Sequence, residues 1–194
     1  MENQKNTVNE QPDNNKPEVK NISLVKELLI YAILIVVCVF VIPKYVVQRT
    51  VVDGHSMENT LQNGDNLIVE KVSYRFSDPE RFDVIVFYPY GRDENEYYVK
   101  RIIGLPGEKV QIIGDEIYIN DKLLDENYGK MAITDGGIAT DGIVLADDEY
   151  FVMGDNREVS LDSRSEEVGP VKRDLIEAKV CLRIWPFDSF GTVD

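Results

Sequence analysis

The chain has 194 residues, 43% of them apolar, with 35 acidic against 21 basic side chains and a net charge of -14. That length holds one domain of ordinary size plus peripheral segments. The first 44 residues contain five acids and five bases, so the acidic excess falls on the rest, which should repel nucleic acid and anionic lipid headgroups.

Residues 1–21 are rich in Asn and Gln and carry only Val8 and Val19 as branched aliphatics. Such a segment cannot bury enough surface to offset its ordering, and it reads as a disordered polar tail. From Leu28 to Ile42 run 15 consecutive apolar residues, about 22 Å of helix. With Leu24 and Val25 before it, Tyr45, Val46 and Val47 after it, and Lys26 and Lys44 snorkelling, the run approaches the length of a bilayer span. Residues 22–47 are therefore expected to form one transmembrane anchor. A cleaved signal would need a small-x-small site after the run, and a core helix would need a polar stripe; neither is present. Lys16, Lys20 and Lys26 before the run against Lys44 and Arg49 after it favour a cytoplasmic N-terminus.

Beyond the anchor come short β-rich runs separated by turn residues: 46–52, 66–72, 83–88, 97–103, 109–113, 116–120, 150–153 and 178–184. The spacing predicts a mainly β fold. Gly114-Asp115 and Asn120-Asp121 are hairpin turn signals. Single helical turns are expected at 56–61 and 173–177, and residues 125–141, without alternation, read as a loop or the tip of an insertion. Cys38 lies inside the apolar run and Cys181 in a strand-like stretch, so no intrachain disulfide is expected and Cys181 reads as a small buried residue.

Three segments carry candidate chemistry. The first is Gly54-His55-Ser56-Met57-Glu58-Asn59-Thr60-Leu61, which follows the anchor and presents a serine. His55 is the only histidine. Neighbouring side chains of an extended segment point to opposite faces, so His55 is poorly placed to activate Ser56 and reads as an exposed bystander. One histidine and two distant cysteines also exclude a His-based zinc site.

A serine without a usable histidine needs another base, and a lysine serves if desolvation leaves its amine neutral near pH 7. In the second segment, 97–107, Lys100 and Arg101 sit on a strand that is apolar on both faces. Tyr98 and Ile102 flank Lys100, while Val99 and Ile103 share the face of Arg101. A guanidinium must keep its charge and find a carboxylate, whereas an ammonium can shed its proton, which makes Lys100 the candidate base. The competing reading is a surface strand with both cations solvated. The third segment, Gly154-Asp155-Asn156-Arg157 through Ser160, Asp162, Ser163 and Arg164, taken alone is a polar turn. Beside a buried Lys-Arg pair its aspartates could balance Arg101 or Arg164, and its Ser160 hydroxyl could orient the Lys100 amine.

At these segments the chain resembles the bacterial type I signal peptidases, in the Gram-positive style. The likeness covers Ser56-Met57 with Thr60-Leu61, Gly64-Asp65, Phe82 to Phe87, Lys100-Arg101 with Gly104-Leu105-Pro106-Gly107, the Gly154 to Arg164 segment and Trp185-Pro186-Phe187, in order along the chain. An ordered set of this kind is far more specific than Ser-Met alone.

The resemblance implies Ser56 as nucleophile and Lys100 as general base, without a cofactor or a metal. It further implies Ser160 as the hydroxyl that positions the lysine, Asp155 paired with Arg101, and Asp162 paired with Arg164. A second oxyanion donor would come from the position of Gly54, which has no hydroxyl. Shallow apolar pockets walled by Met57, Leu61, Tyr98 and Val99 would take small residues at the third and first positions before the cut. The implied architecture is a membrane-anchored β-rich catalytic core, 48–109 and 147–194, interrupted by a small β insertion at 110–146. The implied partners are exported preproteins with signal peptides and the lipid bilayer, with no nucleic acid. The catalytic domain would lie outside the cytoplasmic membrane. Where this chain has Asn59 the family usually has proline. Two rival readings are a self-cleaving repressor, which is soluble and usually carries a DNA-binding segment, and a membrane-tethered β module that binds a partner without catalysis.

Overall fold

The computed structural model describes residues 24–94, 96–129 and 131–193. The expected polar tail, 1–21, and the first two residues of the expected anchor lie outside them. The chain starts with helix α1, Leu24–Val36, widens into a π-helical segment, Val37–Val41, and closes in a short helix α2, Ile42–Tyr45. The widening ends at Val41, two residues before Pro43, which has no N–H to continue the α pattern. The Ile42 N–H instead reaches the Val37 carbonyl, five residues back. Leu24–Val41 has a mean hydropathy of 2.7 and buries no residue against the rest of the protein. It is long and apolar enough to cross a membrane.

Only Val46 separates α2 from the first strand, and it is held from both sides. Its N–H donates to the Ile42 carbonyl and its carbonyl accepts from the Lys71 N–H, each at 2.9 Å. The helix thus ends at Tyr45, and Val47 already belongs to the sheet.

Twelve strands follow among the described residues: β1 Val47–Val51, β2 Asn66–Glu70, β3 Val84–Phe87, β4 Tyr98–Gly104, β5 Lys109–Ile113, β6 Glu116–Ile119, β7 Lys122–Leu123, β8 Ile143–Val144, β9 Glu149–Met153, β10 Val171–Lys172, β11 Ile176–Trp185 and β12 Gly191–Thr192. The larger sheet has the order β1-β2-β11-β3-β4-β9-β10, with β12 on β11; the smaller runs β7-β6-β5-β8. All pairings described are antiparallel. The uninterrupted apolar stretch Val84-Ile85-Val86-Phe87 is buried throughout, as a strand covered on both faces requires. Beside it β4 is buried from Lys100 to Gly104, which brings two cations into the interior.

The small sheet is set by its turns. Asn120 and Asp121 have φ of 51° and 64°, the double left-handed geometry of a type I′ hairpin between β6 and β7. Its apolar face does not form a separate core. Val110, Ile112, Ile117, Ile119 and Ile133 pack with Ile103, Phe151 and Met153 of the larger sheet. The chain passes between the sheets at Gly104, beside a bulge in the β4–β9 ladder. A Cβ there would lie 3.0 Å from both Leu145 and Phe151 and would overlap Val110, so a larger residue would push the two sheets apart.

The helical turn expected at 173–177 is a 3-10 turn only over Arg173–Leu175, after which β11 begins. Residues 125–141 are irregular apart from the 3-10 turn Gly137–Ala139, with Lys130 outside the description. Cys181 is half-buried rather than buried, because it lies where β11 shifts register against β2.

Candidate active site

Ser56 heads a tight turn. The Leu61 N–H donates to the Met57 carbonyl at 2.8 Å and the Thr60 N–H to the same oxygen at 3.1 Å, which curls the backbone behind the serine. Met57 and Leu61 drop from this turn into a cluster with Leu67, Val69, Val84 and Val180 and fix it from below. The turn is also pinned across the fold, where the Asn156 N–H donates to the Ser56 carbonyl at 2.9 Å. His55 points elsewhere: its Nδ1 lies 2.6 Å from Glu58 Oε1 and its side chain is 64% exposed.

Lys100 comes to Ser56 from the middle of β4. Its Nζ is 2.8 Å from Ser56 Oγ and 3.1 Å from the Val99 carbonyl, with the Tyr98 ring centroid 5.0 Å away. The residue is 3% exposed. Burial is the largest influence on its protonation and brings its pKa from 10.5 down to about 8, against the opposing pull of Asp162 and Asp155. About a tenth is then a neutral amine at pH 7, able to accept the Ser56 proton across the short contact.

Arg101, the next residue, is fully buried and fully paired. Its Nε and Nη2 donate to the two Asp155 carboxylate oxygens at 3.0 and 2.8 Å, and its Nη1 donates to the Phe82 carbonyl at 2.9 Å. Thr60 closes the ring, accepting from Arg101 Nη2 at 3.2 Å and donating to Asp155 Oδ2 at 2.5 Å. The guanidinium lies 3.7 Å from the Tyr128 ring centroid. A bidentate, stacked arrangement of this kind suits arginine and not lysine.

The 154–164 segment is tied to itself and to the serine turn. Asp162 accepts from Arg164 Nε at 2.8 Å and Nη2 at 3.0 Å and also from the Gly154 N–H at 3.0 Å. Gly154 is packed so closely that a Cβ would overlap Ser160 Oγ and the Ser56 carbonyl. Ser160 Oγ is thus buried beside the site, and it has no hydrogen-bond partner among the described residues. It makes no bond to Lys100 in this arrangement.

Ser56 and Lys100 open onto a groove of about 760 Å³, walled by Met57, Tyr98 and Val99 and rimmed by Asp53, Glu58 and Glu96. Leu61 is not on that wall; it is fully buried beneath the turn, because the bond to Met57 rotates it into the core. Among the described residues no group of three or more His, Cys, Asp or Glu stands close enough to hold a metal ion. Nothing in the local sequence pattern gives a role to Thr60, Tyr128, Phe82, Arg157 or Glu126. The visible signal for Tyr128 is an aromatic residue in the polar stretch 125–130.

A protein-family model described as signal peptidase, peptidase S26, matches residues 24–185. The chain is 38% identical over 151 residues to probable signal peptidase I-2 of Synechocystis sp., covering 76% of this chain and 67% of that protein. It is 36% identical over 183 residues to signal peptidase IB of Staphylococcus aureus, covering 85% of this chain and 93% of that protein. A crystal structure of a signal peptidase I from Enterococcus faecalis V583 is 34% identical and covers 53% of this chain and 97% of that one, with a TM-score of 0.44.

Proposed function

The chain belongs to the signal peptidase family, peptidase S26, and we propose that it cleaves signal peptides with Ser56 as nucleophile and Lys100 as general base. The observation that carries this reading is the 2.8 Å contact between Ser56 Oγ and the Nζ of a buried lysine. A non-catalytic β module gains nothing from burying an ammonium at such cost.

In the proposed reaction, neutral Lys100 takes the Ser56 hydroxyl proton as Oγ attacks the scissile carbonyl. The oxyanion is held by backbone N–H groups, that of Ser56 among them. Lys100 then gives its proton to the leaving amine, the new N-terminus of the mature protein, and an acyl-enzyme remains. Water, deprotonated by the same amine, attacks the ester, and the proton returns to Ser56 as the signal peptide leaves with its carboxylate. Arg101, Asp155, Asp162 and Arg164 act as supports, and Ser160 positions the Lys100 amine when that amine turns toward it.

The groove takes an extended substrate, and small residues at the third and first positions before the cut, the A-x-A pattern, suit its shallow walls at Met57, Tyr98 and Val99. In this reading residues 110–146 form an inserted subdomain on a catalytic core of 48–109 and 147–194. The helix spans the cytoplasmic membrane with its N-terminus inside, so Ser56 works at the outer face on chains still tethered there.

The test uses the full chain in detergent with a preprotein carrying an A-x-A site. Wild type releases the signal peptide, Ser56→Ala and Lys100→Ala do not, and an acylating penem labels Ser56. Equal cleavage by wild type and Ser56→Ala would reject the assignment.

A further inference from the structure

We propose that residues 126–129, an irregular strap between β7 and the Gly137–Ala139 turn, act as a positioning clamp on the Ser56 turn, working through Asn59. The inference rests on Ser56 being the nucleophile. The strap leaves the small sheet and crosses to three separate parts of the site. Asn59 Nδ2, three residues after Ser56, donates to the Tyr128 carbonyl at 2.8 Å. The Tyr128 ring covers the Arg101 guanidinium at 3.7 Å and meets the Phe82 ring at 5.1 Å. Glu126 pairs with Arg157, with Nη1–Oε1 at 2.9 Å and Nη2–Oε2 at 3.0 Å, and Arg157 Nε donates to the Gly154 carbonyl at 3.1 Å. One short segment thereby holds the serine turn, the neighbour of the lysine and the 154–164 loop in fixed relation.

Asn59 is the residue through which the strap reaches the serine turn. Its φ is 119°, a region that side chains other than glycine rarely adopt and that persists only where neighbours over-determine it. Proline is fixed near -65° and cannot take this conformation. The side-chain bond to the strap adds to the packing of Met57 and Leu61 and to the Asn156 bond in holding this turn, so the strap becomes part of the apparatus that aims Ser56.

The experiment compares Asn59→Gly, Asn59→Asp and Asn59→Pro in the full chain in detergent, following preprotein cleavage and the rate of Ser56 acylation by a penem. Glycine accepts the positive φ and loses only the amide, while aspartate keeps the shape and sets an acceptor against the Tyr128 carbonyl. We expect kcat and acylation to fall about 10- to 100-fold in the aspartate and proline variants, less in the glycine variant, with KM little changed. Hydrogen exchange at 126–129 rises in Asn59→Asp while the β4 amides stay protected. Glu126→Gln lowers kcat from the other end of the strap, and its effect is non-additive with Asn59→Asp. Wild-type kcat in Asn59→Asp, or strict additivity of the pair, overturns the clamp while leaving the Ser56–Lys100 reading intact. A wild-type chain that the penem does not acylate overturns both.

Discussion

Replacing Lys100 with methionine should stabilise the protein at neutral pH while abolishing its activity. The folded chain holds Lys100 at a pKa of about 8 against an ordinary 10.5. Below pH 8 the amine is charged in both folded and unfolded chains, so the folded state bears the full desolvation cost, about 3 kcal/mol for that displacement. Between pH 8 and 10.5 the unfolded chain binds more protons than the folded one, and stability therefore rises with pH. Above that window both forms are neutral and the cost is gone. Methionine adapts to irregular apolar space and carries no charge. The difference between Lys100→Met and wild type should thus shift by about 2.5 kcal/mol in favour of the variant at pH 7 relative to pH 10. The two hydrogen bonds lost with the amine, each worth about 0.5 to 1.5 kcal/mol, offset part of the gain at both pH values. The change with pH is the quantity to read, by denaturant titration in detergent followed by near-UV circular dichroism. The same pKa fixes the kinetics: wild-type kcat/KM on a preprotein should lose a factor of ten per pH unit below about 8, and the neutral fraction at pH 7 exceeds that of an ordinary lysine about 300-fold. A stability difference that stays flat from pH 7 to 10, or an acid limb centred in the ordinary histidine range near 6.5, would refute the argument.

Two further outcomes follow from the packing around the pair. Ser160→Ala removes a buried hydroxyl that has no partner, so we expect unchanged or raised stability, by up to about 1 kcal/mol, together with a fall in kcat of at least tenfold and little change in KM; thermal unfolding and steady-state cleavage measure the two sides. Gly154→Ala drives a methyl group into Ser160 Oγ and the Ser56 carbonyl, and should cost about 1 to 3 kcal/mol and most of the activity, read from unfolding and from penem labelling of Ser56.

How far the sequence discloses this arrangement depends on the range of the interaction. The runs that became β2, β3, β4, β5, β6 and β11 are long enough for apolar patterning to reveal them. β7, β8, β10 and β12 have two residues each, too few to alternate, and exist because a partner strand is already present. Lys100 stood out because a cation on a strand apolar on both faces must be paired or neutralised. Its partner lies 44 residues away, a separation that no local pattern encodes. Glu126 and Tyr128 were hidden for the same reason, since their partners Arg157 and Asn59 stand 31 and 69 residues off and the loop between them has no period to follow. Leu61, a wall residue by the resemblance, lies under the turn, because a tight turn can rotate its last residue into the core.

The joint at Val46 leaves no slack between the anchor and β1, with both of its backbone groups engaged by neighbours. If the helix spans a bilayer as proposed, so short a joint couples the sheet to the helix, and helix tilt then sets the height and heading of the groove above the lipid surface. On that proposed placement, enzyme and tethered substrate search for one another in two dimensions, and encounter is governed by lateral density in the sheet of lipid, not by bulk concentration. A flexible insert at this joint would leave the chemistry of a water-soluble peptide untouched and slow only the capture of membrane-held chains.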